Sequence, residues 1–362
     1  MRLHDPLIIP ATAAPNGARI IVRDRPRFHV KKRGVVGVRL DGWIRWEMVN
    51  RDGRVTRGGE QHNLFLDAAL DRMALNGGTW SGPGFGGNGF LDRAVVGTSS
   101  VEPDPSDTAL GNQVAMSSLT YTGYSTEEPI GSDDGVIRMS KGVEFDFDEA
   151  NGNLTEWGIV TGIVSDTRYL ITRELFRDEV DDPVTITKTS DEKLRITYYL
   201  DAAYGPTVPE AVSFDITGVG NVSGEAGVTR GSEGVGYHQA LSGVIRDDLA
   251  TWASSGPYAY ACPSDWTPAF DTRPSMPSSS SRYRELSAPA YVPGSYEQTV
   301  SFSAATDRLN YEHYGYAVLQ KSGTSTLGGW AFRFDDADRL TKDDLHILDM
   351  DLMKITWARQ GS

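Results

Sequence analysis

The sequence has almost no cysteine and no long apolar segment. Cys262 is the only cysteine among 362 residues, so the chain has neither an internal disulfide nor a thiolate metal cluster. We interpret Cys262 as a small apolar core residue rather than a nucleophile. No apolar run approaches the ~20 residues of a membrane-spanning helix, and Pro6 and Pro10 interrupt the apolar patch near residue 8. We therefore expect no signal peptide, no membrane partner and folding in a cytoplasm.

The motifs of common active sites are also absent. The sequence contains neither a Gly-x-Ser-x-Gly nucleophile elbow nor a Gly-x-x-x-x-Gly-Lys phosphate loop, and no two histidines are spaced i, i+4. The acidic stretch 146–156 has the wrong spacing for the ligands of an EF-hand calcium loop. We expect a protein that is not an enzyme and that binds no cofactor or metal. Paired carboxylates for glycoside hydrolysis remain a possible alternative, because the sequence does not show which acids meet in space.

Charge is distributed unevenly along the chain. Residues 1–33 contain eight Lys/Arg and two Asp, a net charge of +6, which leaves −20 on the other 329 residues of a chain of net charge −14. A basic arm on an acidic body favours contact with an acidic neighbour, and a second copy of the chain is the nearest candidate. A solvated basic tail explains the same residues. We expect no nucleic-acid partner, because the acidic body repels phosphates.

The residue pattern predicts a mainly β fold. Alternating apolar residues are found in Ile44-x-Trp46-x-Met48 and in LRITYYL (194–200), and Asp52-Gly53 favours a tight hairpin turn. One helix is predicted near residues 63–75, with Asn63 as its cap. No helical pattern separates the later strands. We therefore expect antiparallel β-sandwich units with one or two short helices and long loops.

Four regions follow from composition. They are an extended basic N-terminal arm (1–35), a β-rich domain (36–200), an irregular Gly/Ser-rich lobe or insertion (201–295) and a C-terminal β unit (296–362). The last region resembles residues 143–200, since placing Val143 on Val300 aligns two aromatic–glycine steps without a gap. This alignment predicts an internal duplication. Chance similarity between β-rich sequences is the alternative.

Several segments occur together in a recognisable order. They are LDGWIRWEMVNRDGRV (40–55), HNLFLDAALDRMA (62–74), VVGTSSVEPDPSDTALGNQVA (95–115), NGNLTEWGIV (151–160), ELF (174–176) and ITKTSDEKLRITY (186–198). In this order they resemble virion structural proteins of tailed bacteriophages. The resemblance covers roughly residues 40–200 and rests on the order of segments that are individually weak. It implies a β-rich building block of the virion, most simply in the tail, hub, adaptor or fibre attachment.

This resemblance implies function through contacts between subunits. A long loop without reactive groups, residues 97–113, is explained if it lies against another subunit, and Asp107 and Thr108 are expected to cap a turn at Ala109–Leu110. An ordinary surface loop is the alternative. The expected partners are further copies of the chain and other virion proteins, with the virion as the location. The candidate contact residues are Arg19, Arg23, Arg25, Arg27, Lys31, Lys32, Arg33, Pro103, Pro105 and Asp107.

Two other functions remain open at this stage. A capsid decoration or neck protein has the same architecture and differs only in location. A receptor- or carbohydrate-binding module at a fibre tip would use aromatic residues of the 201–295 lobe to stack on a host surface glycan; the candidates are Tyr258, Tyr260 and Trp266.

Overall fold

The computed structural model describes most of the chain. The described residues are 27–29, 34–74, 91–117, 119–127, 134–161, 168–178, 180–206, 209–216, 220–229, 257–262, 283–285, 290–304, 309–322, 325–342 and 347–359. Strands dominate these residues, and their sheets are antiparallel apart from two strand pairs. The prediction of a mainly β fold with a short helix and long loops is confirmed.

The strands, numbered in chain order, are β1 (Arg27–His29), β2 (Gly34–Asn50), β3 (Val55–His62), β4 (Leu64–Phe65), β5 (Arg93–Gly97), β6 (Gln113–Met116), β7 (Leu119–Glu127), β8 (Asp134–Phe145), β9 (Gly152–Leu154), β10 (Glu156–Val160), β11 (Leu170–Leu175), β12 (Ile186–Lys188), β13 (Glu192–Pro206), β14 (Glu210–Ile216), β15 (Gly220–Thr229), β16 (Pro257–Cys262), β17 (Tyr283–Glu285), β18 (Glu297–Ala304), β19 (Glu312–His313), β20 (Gly315–Ser322), β21 (Ser325–Phe334), β22 (Leu340–Thr341) and β23 (Ile347–Arg359). The helix α1 spans Asp67–Ala74, and a 3-10 turn spans Asp336–Asp338.

The largest sheet has eight strands and is built around β2 and β13. Its order is β1-β23-β2-β13-β8-β7, with β3 paired to the second half of β2 and β18 paired to β23. Leu194, Ile196, Tyr198 and Leu200 of β13 are all buried, as their alternation predicts. On the opposite face Arg45 is exposed and forms an ion pair with Glu60.

Two strand pairs in the large sheet are parallel. β23 runs parallel to β1 and to the first half of β2, while β18 pairs with it antiparallel on its other side. We expected antiparallel strands throughout. The exception arises because β2 and β23 are separated by about three hundred residues of chain, and so long a connection permits either direction.

Two smaller sheets lie beside the large one. The five-stranded sheet has the order β4-β11-β10-β5-β6, and the six-stranded sheet has the order β14-β15-β21-β20-β16-β17. Hydrogen bonding crosses the regions suggested by composition: β18 and β23 join the sheet of residues 36–200, and β20 and β21 join strands of residues 201–295. The division into four regions therefore stays a prediction about sequence composition.

The turn after β2 follows the sequence, whereas the helix begins later than predicted. Gly53 has a φ of 78°, and its N–H donates to the carbonyl of Asn50, as a tight Asp-Gly turn requires. The helix begins at Asp67, so Asn63 is too far from its first turn to cap it. The Asn63 amide instead donates to the Thr172 hydroxyl, so the predicted cap was wrong.

One continuous apolar core joins the three sheets. It includes Trp46 of the large sheet, Trp157 of the five-stranded sheet and Phe332 of the six-stranded sheet. Trp357 is also part of this core, and its indole N–H donates to the carbonyl of Leu70 in the helix at 2.9 Å. The helix is therefore fixed against the last described strand of the chain.

Two two-stranded sheets, β9–β12 and β19–β22, resemble each other in detail. In each, a buried lysine donates to an asparagine: Lys188 to Asn151 at 2.9 Å, and Lys342 to Asn310 at 2.6 Å. The residue before each asparagine has a positive φ, 57° and 55° respectively. The two asparagines are 159 positions apart, whereas the ungapped alignment used 157. Internal duplication stays a prediction, with its register moved by two residues.

Candidate functional site

Residues 98–112, between β5 and β6, form a loop over one face of the five-stranded sheet, which we call the anchored loop. Leu110 is buried in a small apolar cluster with Val95 and Leu170. Gly158 makes room for this contact, because a Cβ atom there would lie 2.8 Å from Leu170 Cδ1 and 3.2 Å from Leu110 Cδ2. The loop is therefore packed on the sheet and has a defined shape.

A buried carboxylate fastens both ends of the anchored loop. Glu156 of β10 is fully buried. It accepts hydrogen bonds from the backbone N–H groups of Ser99 at 3.2 Å, Gly111 at 3.0 Å and Asn112 at 2.8 Å. Charge-assisted bonds of this kind are stronger than neutral ones. One side chain thus joins the beginning and the end of the loop.

A buried guanidinium fastens the middle of the loop. Arg173 of β11 is 3% exposed and donates through Nε to Glu156 at 3.0 Å, through Nη1 to Asp107 at 2.6 Å and through Nη2 to the carbonyl of Val101 at 3.0 Å. Each nitrogen of the guanidinium therefore has a fixed partner. A buried ion pair is costly to break, because the remaining charge is left without compensation.

Asp104 forms the turn in the anchored loop. We had predicted that Asp107 and Thr108 would do so. Asp104 accepts hydrogen bonds from the N–H and the hydroxyl of Ser106, which lower the pKa of its carboxyl. Its own N–H donates to the Asp107 carboxylate at 2.9 Å. The turn is thus at residues 104–107, and the expected cap at residues 109–110 was wrong because the Asp107 carboxylate is bound to Arg173 and Asp104.

The predicted contact residues are only partly within the described chain. Arg19, Arg23, Arg25, Lys31, Lys32, Arg33 and Trp266 lie outside it, and only the backbone of Arg27, Tyr258 and Tyr260 is described, in β1 and β16. Pro103 and Pro105 are half-buried in the anchored loop, and the Pro105 carbonyl accepts the N–H of Asp67 at 2.8 Å. All these contacts of the anchored loop lie within one subunit. Contact with a second subunit stays a prediction.

Exposed apolar side chains surround the anchored loop. Val101 in the loop is 66% exposed, and Val114 and Met116 in β6 are 49% and 41% exposed. An ion pair between Arg177 and Glu102 joins the loop to a turn in which Val180 is 74% exposed. We did not identify β6 from the sequence, although the alternation of Val114 and Met116 was its signal.

The ammonium group of Lys188, in β12, lies inside the acidic turn that follows β8. Lys188 is buried, and its ammonium donates to the carbonyl of Asp146 at 2.8 Å and to the Asn151 side chain at 2.9 Å. Burial lowers the pKa of Lys188, and the nearby Asp146 and Glu149 oppose that effect. In the acidic stretch 146–156, the Asn151 side chain and the Asp146 backbone carbonyl thus bind a side-chain cation of the chain itself.

A second buried polar cluster contains the only cysteine. His313 is fully buried, with Nδ1 at 2.6 Å from the Tyr316 hydroxyl and Nε2 at 2.9 Å from the Leu309 carbonyl. Burial lowers the pKa of His313 to about 4 and raises the pKa of Cys262 well above its usual value. The imidazole is therefore neutral near pH 7, and the thiol is in its unreactive protonated form.

Two further classes of site have no counterpart among the described residues. No group of three His, Cys, Asp or Glu side chains in that part of the chain is arranged to hold a metal ion. No helix there is long and apolar enough to span a membrane.

Comparison with known proteins adds no relative: no protein-family model, no curated protein and no solved structure matches this chain.

Proposed function

We propose that this chain is a structural, non-enzymatic component of a tailed-bacteriophage virion, most simply associated with the tail, and that it acts through contacts between subunits. The observation that carries the proposal is the anchored loop. Fifteen residues are held over a sheet by Glu156 and Arg173, and exposed apolar side chains surround them. A rigid surface with exposed apolar groups suits binding to another protein.

The segments that carry the resemblance also build this surface. Glu156 belongs to the segment 151–160, Asp107 belongs to the segment 95–115, and Arg173 directly precedes the segment 174–176. Segments that are far apart in the chain therefore meet in one ion-pair cluster.

The location is tested on purified particles. Tailed particles from cells that make this chain should retain it through washing at high salt, as shown by mass spectrometry, and gold-labelled antibodies should mark the tail. Label on the head or at the neck would select the decoration or neck alternative. Loss of the chain from washed particles, together with a non-structural control protein, would contradict the proposal.

A second candidate is glycan binding, which an aromatic stack on the large sheet favours. Trp43 and Tyr199 stack with ring centroids 3.9 Å apart, and Arg138 lies 5.2 Å from the Trp43 ring while bound to Asp201. Aromatic rings beside polar groups offer apolar faces together with hydrogen-bonding atoms, and a sugar ring needs both. Binding to host polysaccharide, measured by calorimetry, should then be lost in Trp43→Ala and retained in Tyr314→Ala, whose ring also lies under an arginine.

A further inference from the structure

We propose that the segment Arg19–Arg25 of one copy adds as a strand to the edge of β6 in the next copy, beside its anchored loop. The inference rests on the proposed assembly function and identifies the partner of its surface. The segment and the edge of β6 are different surfaces, so the contact is either exchanged reciprocally in a dimer or repeated from copy to copy in a ring or an open filament.

The free edge of β6 is the first argument. Among the described strands β6 ends the five-stranded sheet, with β5 as its neighbour. Met116 is paired with Val95, which belongs to the small apolar cluster under the anchored loop. Met116 is 41% exposed beside that cluster, and Val114, two residues before it, is 49% exposed. An edge with exposed apolar side chains is a template for a further strand.

Charge and residue type indicate the occupant. The anchored loop contains Glu102, Asp104 and Asp107 and has no Lys or Arg. The segment Arg19–Arg25 has three arginines around Ile20-Ile21-Val22, a run of β-branched residues that favours a strand. Glu102, Asp104, Asp107 and Glu156 outnumber Arg173 and Arg177, the two arginines that form ion pairs within this group, so the segment is opposite in charge to the loop and its support, which favours their encounter.

The path of the chain favours an occupant from another copy. Arg27, where β1 begins, pairs with Ile347 at one end of β23. Arg359, twelve residues further along β23, pairs with Leu40, and β2 continues for seven residues to Glu47. These nineteen residues of strand span about 63 Å along the large sheet.

The edge of β6 lies at the far end of this path. Glu47 pairs with Arg195, which pairs with Glu144, which pairs with Leu119 at the start of β7. Met116 of β6 is three residues before Leu119, at most about 10 Å away. From Arg27 back to Arg19 the chain spans eight residues, at most about 29 Å. The strand path to the β6 of its own copy is therefore longer than the segment, which favours a second copy as the source.

Disulfide trapping between full-length chains tests the contact. Chains with Ile21→Cys are mixed with chains with Val114→Cys and oxidised, and linked dimers are measured on non-reducing gels. Cys262 contributes little background, because it is buried. If the segment docks, linked dimers should form about a hundredfold faster than in the control pair, because docking raises the effective concentration of the two thiols.

The control pair combines Ile21→Cys with Val292→Cys, since Val292 is 66% exposed and outside the five-stranded sheet. Oligomers that form normally while both pairs link at the same rate would overturn the docking and leave the assembly function standing. A chain that stays monomeric at all concentrations and is absent from particles would overturn both.

A charge exchange gives a second, independent result. Arg19, Arg23 and Arg25 are changed to Glu, which should abolish oligomers in size-exclusion chromatography with light scattering. Glu102→Arg, at an exposed side chain outside the 104–107 turn, added to the same chain, should restore part of them. Failure of the exchange to restore oligomers, in a chain that still folds by circular dichroism, would contradict the docking at this loop.

Discussion

At the scale of single residues, three buried charged or polar groups support the fold. Glu156, Arg173 and Lys188 are each almost completely buried, and each has at least two fixed partners in the described chain. Burying a charge is expensive unless hydrogen bonds compensate it. Their contribution to the free energy of unfolding is therefore best measured with a substitution that removes the charge of one side chain and keeps its size and shape.

Glu156→Gln should destabilise the chain by about 3 kcal/mol, because Arg173 would stay buried with only Asp107 as a charged partner. Urea unfolding measures the change. Glu210→Gln, at an exposed position that begins β14, is the matched control and should leave the midpoint unchanged. Equal midpoints for both variants would show that the ion pair does not hold the loop.

His313 predicts a specific pH dependence. Its pKa of about 4 in the folded chain lies below the ordinary histidine pKa of ~6.5, so the unfolded chain binds the proton more tightly. The contribution of the neutral imidazole to stability is complete above pH ~6.5 and is lost as the pH falls towards ~4, by about 3 kcal/mol. Unfolding free energies between these pH values should fall more steeply in the wild type than in His313→Gln. Parallel pH profiles would contradict the assignment.

At the scale of elements, the alternation of apolar residues predicted correctly which side chains are buried, but it did not predict which strands pair. The buried faces of β2 and β13 and the turn at Gly53 follow from local sequence, because they depend on residues two or three positions apart. The parallel neighbour of β2, β23, does not follow, because periodicity does not specify which strands meet. The start of the helix was predicted too early because asparagine is a common capping residue. The Asn63 side chain instead bonds to Thr172 and does not cap the first turn of the helix.

The candidate site was predicted only as a loop. Its proline and acid content indicated an exposed turn, and this agrees with the structure. The side chains that hold it, Glu156 and Arg173, lie in strands whose partner in space is not visible in the sequence. Polar residues at alternate strand positions are normally exposed, so their burial required knowledge of what covers that face of the sheet.

Gly158→Ala tests the contact between the anchored loop and the sheet. The new methyl group would meet the Thr172 carbonyl oxygen at 2.6 Å and the side chains of Leu170 and Leu110. Overpacking of this kind costs roughly 1–3 kcal/mol, which thermal unfolding would show as a lower midpoint. Gly37→Ala is the control, because the nearest atom to its new methyl, Thr356 Oγ1, is 3.8 Å away. Equal midpoints for the two variants would contradict the packing.

At the scale of the whole molecule, the basic arm and the acidic body are expected to act between copies. Residues 1–33 have a net charge of +6 on a chain of net charge −14. Attraction between exposed charges is screened by salt. The oligomeric state should therefore depend on ionic strength if the arm contributes to assembly.

The change of Arg19, Arg23 and Arg25 to Gln should shift the chain towards monomers at about 0.05 M salt and remove most of the further dissociation at about 0.5 M. Light scattering measures the mean mass. The matched control changes Arg51, Arg54 and Arg57 to Gln, which removes the same charge from exposed positions around the β2–β3 turn. An equal loss of mass in both variants would make net charge, rather than the arm, responsible.

The parallel pairing of β2 with β23 has a consequence for synthesis on the ribosome. Residues 34–40 emerge early, yet the strand that pairs with them, residues 353–359, is translated more than three hundred residues later. Until then one side of a long apolar strand lacks its neighbour, so nascent chains are exposed to mispairing and chaperone binding. Synthesis of residues 353–359, rather than local turn formation, is then expected to limit how fast competent subunits accumulate.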